Sequence, residues 1–114
     1  MRKYLTLLLL VTSSVLAGEA TLSWTAPIYN EDGSLLTDLA GYYIYYNDDG
    51  TTVYPNSIYI DDPLAVTYVV PNLTEGVTYY FVATAVNIPG LESVYSGVAT
   101  KTIPGKIPNP PILL

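Results

Sequence analysis

Ten carboxylates and twelve tyrosines carry most of the chemistry this 114-residue chain can offer, because it contains no histidine and no cysteine. Those two absences remove the commonest general base, the thiol nucleophile and the usual transition-metal ligands. Six of the acids fall in adjacent pairs at Glu31-Asp32, Asp48-Asp49 and Asp61-Asp62, each among turn-forming residues. Two carboxylates hydrolyse a glycosidic bond only where a cleft holds a proton on one of them, and a chain this short has little scope to build one. Calcium is the better chemical match, since it accepts carboxylate and carbonyl oxygens from loops. Neither Asn30–Gly33 nor Asn47–Gly50 has the ligand run of an established calcium loop. Solvated turns are therefore expected, with no catalysis, metal or cofactor.

At the N-terminus, Arg2 and Lys3 precede a mainly apolar run, Leu5–Ala17, and Val15-Leu16-Ala17 suits a signal peptidase. The run is too short to cross a hydrocarbon core of roughly 30 Å as a stable helix. Residues 1–17 read as a secretion signal, with a buried N-terminal strand or a short membrane anchor as the alternative. Lacking cysteine, the chain has neither a lipidation site of the lipoprotein kind nor disulfide staples, so it must rest on its core and its hydrogen bonds. Residues 18–114 suffice for one domain with one modest core. They retain all ten acids against only Lys101 and Lys106. Such a surface repels phosphate backbones and anionic lipid. Nucleic acid is not expected as a partner, nor is stable membrane insertion once the signal is gone.

The remaining sequence alternates in short runs. Ala20, Leu22 and Trp24 fall on one face of a strand, and Thr21, Ser23 and Thr25 on the other. Pro27 ends that ladder. Leu35, Leu36 and Leu39 suggest an ordered connection with core contacts, leading to a strand over about Gly41–Tyr46 that closes at Asn47-Asp48-Asp49-Gly50. Further strands are predicted at Thr51–Tyr54, Ala65–Val70, Thr78–Val86 and Ser93–Thr102. No window after residue 17 carries a helical stripe. Short alternating strands with frequent turns predict an all-β sandwich.

From about Ala20 to Thr102 the chain resembles a fibronectin type III domain, an immunoglobulin-like sandwich, particularly of the bacterial and phage-borne kind. Leu22-Ser23-Trp24-Thr25-Ala26-Pro27 resembles the family's second strand. Tyr42, Ile44 and Tyr46 match inward positions of its C strand, and Tyr79–Ala85 matches its F strand. Leu73 followed six residues later by Tyr79 matches the tyrosine corner, although Glu75 stands where the family usually has proline. The resemblance implies seven strands, the first lying just before the tryptophan strand. A mature chain starting at residue 18 has only Gly18 and Glu19 there. It is expected to lack strand A, or to receive one from another chain at the open edge. Two plainer alternatives are that residues before Trp24 supply the strand, and that the edge is simply wet.

With that arrangement, Trp24, Tyr42, Ile44, Tyr46, Leu73, Tyr79 and Phe81 form the structural core, joined by Ala83, Ala85, Leu22 and Val98. The Tyr79 hydroxyl needs a backbone acceptor. Tyr43, Tyr45 and Tyr80 project outward from neighbouring strands and could share one aromatic patch. It serves either as cross-strand packing, at about 0.2–1 kcal/mol per pair, or as a recognition surface. After Thr102 the proline-rich stretch reads as an extended tail over 103–114, ending on apolar Ile112, Leu113 and Leu114. It is a loose end, an end lying on its own domain, or a docking peptide. The expected function is a secreted binding or adhesion module for a protein or polysaccharide surface. The alternative is a subunit of a surface layer, filament or virion that self-assembles by strand or tail donation. The expected location is extracellular, on a bacterial surface, in the periplasm or on a virion.

Overall fold

The computed structural model describes residues 8–12 and 18–114, and of the first segment only the Leu9 side chain. The expected basic start at Arg2-Lys3 and the cleavage region at residues 15–17 lie outside them. Seven strands follow in order: β1 Leu8–Thr12, β2 Ala20–Thr25, β3 Leu39–Asn47, β4 Asn56–Ile60, β5 Thr67–Val70, β6 Thr78–Asn87 and β7 Ala99–Thr102. They form two antiparallel sheets, β1-β2-β5 and β4-β3-β6-β7, packed as a sandwich.

The alternation read from sequence places the core. Ala20, Leu22 and Trp24 of β2 are buried, facing Tyr42 and Ile44 of β3 and Tyr79, Phe81, Ala83 and Ala85 of β6. Tyr46 packs against this cluster with its ring 5.6 Å from Phe81 and 6.1 Å from Tyr79. Trp24 donates its indole N–H to the Ala65 carbonyl at 3.0 Å, and its backbone N–H to Val66 at 2.9 Å. Leu73 is buried at the corner, where the Tyr79 hydroxyl accepts from the Thr74 backbone N–H at 2.9 Å. The partner of that hydroxyl is thus a donor, not the acceptor expected, because the turn leaves an N–H rather than a carbonyl pointing at the ring.

Several boundaries differ from the sequence reading. Val98 is exposed, and its place in the core is taken by Ala99 and the fully buried Ile103. Ile103 is fixed by two backbone bonds, its N–H to Val77 at 3.0 Å and its carbonyl from Gly76 at 2.8 Å. Leu35 is exposed, while Leu39 packs on the core. The strand expected at Thr51–Tyr54 forms instead at Asn56–Ile60. Residues 51–53 are held as a turn by Asn47, whose side-chain amide donates to the carbonyls of Thr51 and Val53 at 3.0 and 2.9 Å. The last strand is four residues long, because Ser93 and Ser96 interrupt it. Their hydroxyls accept the N–H groups of Ala85 and Ala83 at 2.9 and 2.8 Å, while their own N–H groups donate to those residues' carbonyls.

In the full chain the place beside the tryptophan strand is filled. β1 runs antiparallel to β2 with Leu8 opposite Thr25 and Thr12 opposite Thr21, and Leu9 enters the core. The apolar run that reads as a secretion signal therefore also satisfies the pattern of a first strand. At the other end, Ile107, Ile112, Leu113 and Leu114 are exposed.

Candidate binding face on the four-stranded sheet

β3 carries Tyr43 and Tyr45 on the face away from the core, two residues apart and therefore on one side of the pleat. Their rings stack with centroids 5.6 Å apart and planes 25° apart. Register extends the row in one direction: Tyr59 of β4 stands opposite Tyr43, with ring centroids 4.9 Å apart. In the other direction Tyr95 meets Tyr45 edge-on at 5.5 Å, and Tyr54 meets Tyr95 at 5.3 Å. Five tyrosines thus form a continuous row: Tyr59, Tyr43, Tyr45, Tyr95, Tyr54. The two ring pairs around Tyr43 and Tyr45 bury part of their surface on each other, while Tyr59 and Tyr95 are the exposed members. Beneath them Val82 and Thr84, the outward residues of β6, are also buried. The row is a covering layer as well as a surface.

Tyr80 occupies the same sheet face further along β6, opposite Asn47. Its ring lies under the 47–50 turn, where a Cβ added at Gly50 would meet it at 3.2 Å. Gly50 has φ +70°, so the turn needs glycine for conformation and for that approach. The ring contacts bring Tyr43 and Tyr45 together with Tyr59, Tyr95 and Tyr54, whereas Tyr80 packs on the turn.

One carboxylate joins the row. Glu92 lies beside Val86 through an isolated bridge, and its Oε2 accepts from the Tyr45 hydroxyl and, at 2.6 Å, from the buried Thr84 hydroxyl. Burial pushes the Tyr45 phenol well up, and the hydrogen bond and charge of Glu92 push the same way. Tyr45 therefore remains a neutral donor. Two hollows share Glu92 as a wall. An open one of about 480 Å³ is lined by Tyr45, Glu92, Ser93, Val94 and Tyr95. The other, of about 320 Å³, is lined by Asn30, Glu31, Asn87 and Glu92 over an apolar floor of Leu36, Leu39 and Leu91.

The paired acids behave as turn formers. Asp32 accepts the Ser34 N–H and hydroxyl, and Asp49 accepts the Thr51 N–H at 3.0 Å and hydroxyl at 2.8 Å. These bonds hold both carboxyls below their ordinary value, the Ser34 hydroxyl leading for Asp32 and the Thr51 N–H for Asp49. Asp62 accepts the Leu64 N–H at 2.9 Å. Among the described residues no group of three or more acids, histidines or cysteines could hold a metal ion, and no helix is long and apolar enough to cross a membrane.

The family model of the fibronectin type III domain matches residues 9–101, from β1 to β7. The chain belongs to the fibronectin type III family. The match starting at Leu9 includes β1, so the family pattern covers the first strand as well as the tryptophan strand. Among solved structures, a β-1,2-glucanase from Parabacteroides distasonis is similar with TM-score 0.67 and 19% identity, over 92% of this chain and 13% of the enzyme. The third fibronectin III domain of the human KIAA0343 protein gives TM-score 0.61 and 19% identity, over 89% of this chain and 84% of that domain. The chicken CNTN1 FN1–FN3 domains give 0.62 and 17%, over 83% of this chain and 29% of that one. At these identities the likeness is one of fold. No curated protein matches the sequence.

Proposed function

We propose that this fibronectin type III domain is a secreted, non-catalytic binding or adhesion module of the bacterial or phage-borne kind, which holds its partner on the outer face of the four-stranded sheet. The observation that carries the reading is the five-ring tyrosine row, in which Tyr59 and Tyr95 are exposed. Tyrosine buries large area at small entropic cost and keeps a polar tip, which suits it to recognition surfaces. The stacked inner pair gives each other one face, which favours a protein partner over a sugar that needs several open aromatic faces. The test is capture of partners from a displayed peptide library and a panel of polysaccharides, by the full chain and by Tyr59→Ser and Tyr95→Ser variants. Both substitutions remove exposed rings, so folding should persist while capture falls. Partners held equally by all three proteins would overturn the reading.

A second reading, assembly by strand or tail donation, is favoured by one observation. The strand that covers β2 is the same segment that reads as a secretion signal. Its removal would open the Thr21–Thr25 backbone, and the exposed Ile112–Leu114 of a second copy is available to reach it. The intact mass of the exported protein, followed by light scattering over a wide concentration range, distinguishes the two. A monomer supports the binding module. Discrete oligomers of a chain lacking residues 1–17 support assembly.

A further inference from the structure

We propose that the hollow between Tyr45, Glu92 and Tyr95 receives a cationic side chain, arginine or lysine, of the partner protein. The inference rests on the tyrosine face being the binding surface, and it names the chemistry that face selects.

The Glu92 carboxylate meets neutral groups, the hydroxyls of Tyr45 and Thr84, both at Oε2. Those bonds fix the carboxylate beside the rings without neutralising its charge. Among the described residues no lysine or arginine lines either hollow that Glu92 borders, and the second hollow adds Glu31. The lysines of residues 18–114, Lys101 and Lys106, lie on β7 and in the tail. An anionic wall in a hollow that Tyr45 and Tyr95 also line is a good receiver for a cation, because the carboxylate supplies the full charge and tyrosine rings add negative potential at their faces. An anionic or phosphorylated partner meets repulsion there from Glu92, and across the whole molecule from a net charge of −6. The open hollow, with Tyr95 half exposed at its rim, admits a side chain from a partner lying along the row.

The test titrates ¹⁵N-labelled full-length protein with short blocked Gly-Ser peptides carrying one arginine, lysine, glutamine or glutamate. The arginine and lysine peptides should shift the amides of Tyr45 and residues 92–95 saturably, and the other two should not. Glu92→Gln keeps a carbonyl oxygen for the Tyr45 and Thr84 hydroxyls, so it should melt like the parent while weakening the arginine peptide about tenfold. Glu19→Gln combined with Glu75→Gln removes two charges near the far end of β6 and should weaken it less than about twofold. Equal losses in the two variants, or equal binding of the glutamine peptide, would overturn the proposal. Saturable shifts along Tyr43 and Tyr59 that ignore Glu92→Gln would also overturn it, while leaving the binding face itself standing.

Discussion

Two core tyrosines should respond in opposite directions to loss of the same oxygen atom. The Tyr79 hydroxyl accepts the Thr74 N–H at 2.9 Å, whereas the Tyr42 hydroxyl is buried without a hydrogen-bond partner among the described residues. Burial pushes the Tyr42 phenol up, and the nearby Trp24 N–H offsets part of that rise. That N–H is nevertheless committed to the Ala65 carbonyl, so it does not satisfy the Tyr42 oxygen. Tyr79→Phe strands a backbone donor and should cost about 1–2 kcal/mol. For a domain of this size that lowers the melting temperature by roughly 4–16 °C. Tyr42→Phe removes an oxygen that has already lost water without compensation, so it should be neutral or stabilising by up to about 1 kcal/mol. Both variants keep the aromatic ring, including the 5.2 Å contact between Tyr42 and Trp24. Thermal and urea melts of the full chain measure both. A Tyr42→Phe loss as large as that of Tyr79→Phe would refute the hydrogen-bond accounting at the core.

Ser93→Ala and Ser96→Ala each leave a β6 N–H without its acceptor and should cost about 1 kcal/mol apiece, with faster amide exchange at Ala85 and Ala83 respectively. Gly41→Ala would place a Cβ 2.2 Å from the Ile60 carbonyl oxygen, so β3 and β4 must separate; the loss should exceed about 2 kcal/mol, seen as an early melt with weakened protection of β4. The raised Tyr45 phenol makes stability depend on pH at the alkaline end. Its contribution is intact below the ordinary phenol value of 10.0 and is lost as pH rises through the folded-state value above it. Melts between pH 9 and 12 should therefore fall more steeply for the parent than for Tyr45→Phe, and identical slopes would count against a Tyr45 phenol raised by burial and by Glu92.

The sandwich was legible because β2 alternates cleanly, and because Trp24, Leu73 and Tyr79 stand at the spacing of the family's core. The first strand was harder. Leu8–Thr12 is apolar without alternation, and hydropathy alone does not separate a secretion signal from a strand buried against a sheet. Two of the five tyrosines of the candidate face were readable, since alternation turned Tyr43 and Tyr45 outward. Tyr59 was missed because Pro55 and the Asn47 turn put the start of β4 at Asn56 and not at Thr51; the alternation of Ile58 and Ile60 around Tyr59 was the available signal. Tyr95 and Glu92 sit in a segment that reads as regular strand but is bent by serine hydroxyls. Their meeting with Tyr45 depends on contacts across 47 or more residues, which local pattern does not encode. The burial of Val82 and Thr84 follows from the same cause, since they stand beside Tyr45 and Tyr43 in the sheet and Thr84 bonds Glu92.

Binding of a partner along the tyrosine row is measured by amide shift mapping on the full chain with the tightest binder from the peptide and polysaccharide panel. Perturbations should concentrate on Tyr43, Tyr45, Tyr59 and residues 92–95 and disappear in a Tyr59→Ser, Tyr95→Ser double variant that melts normally. Perturbations confined to the β1-β2-β5 sheet or to the tail, unchanged in that variant, would contradict it.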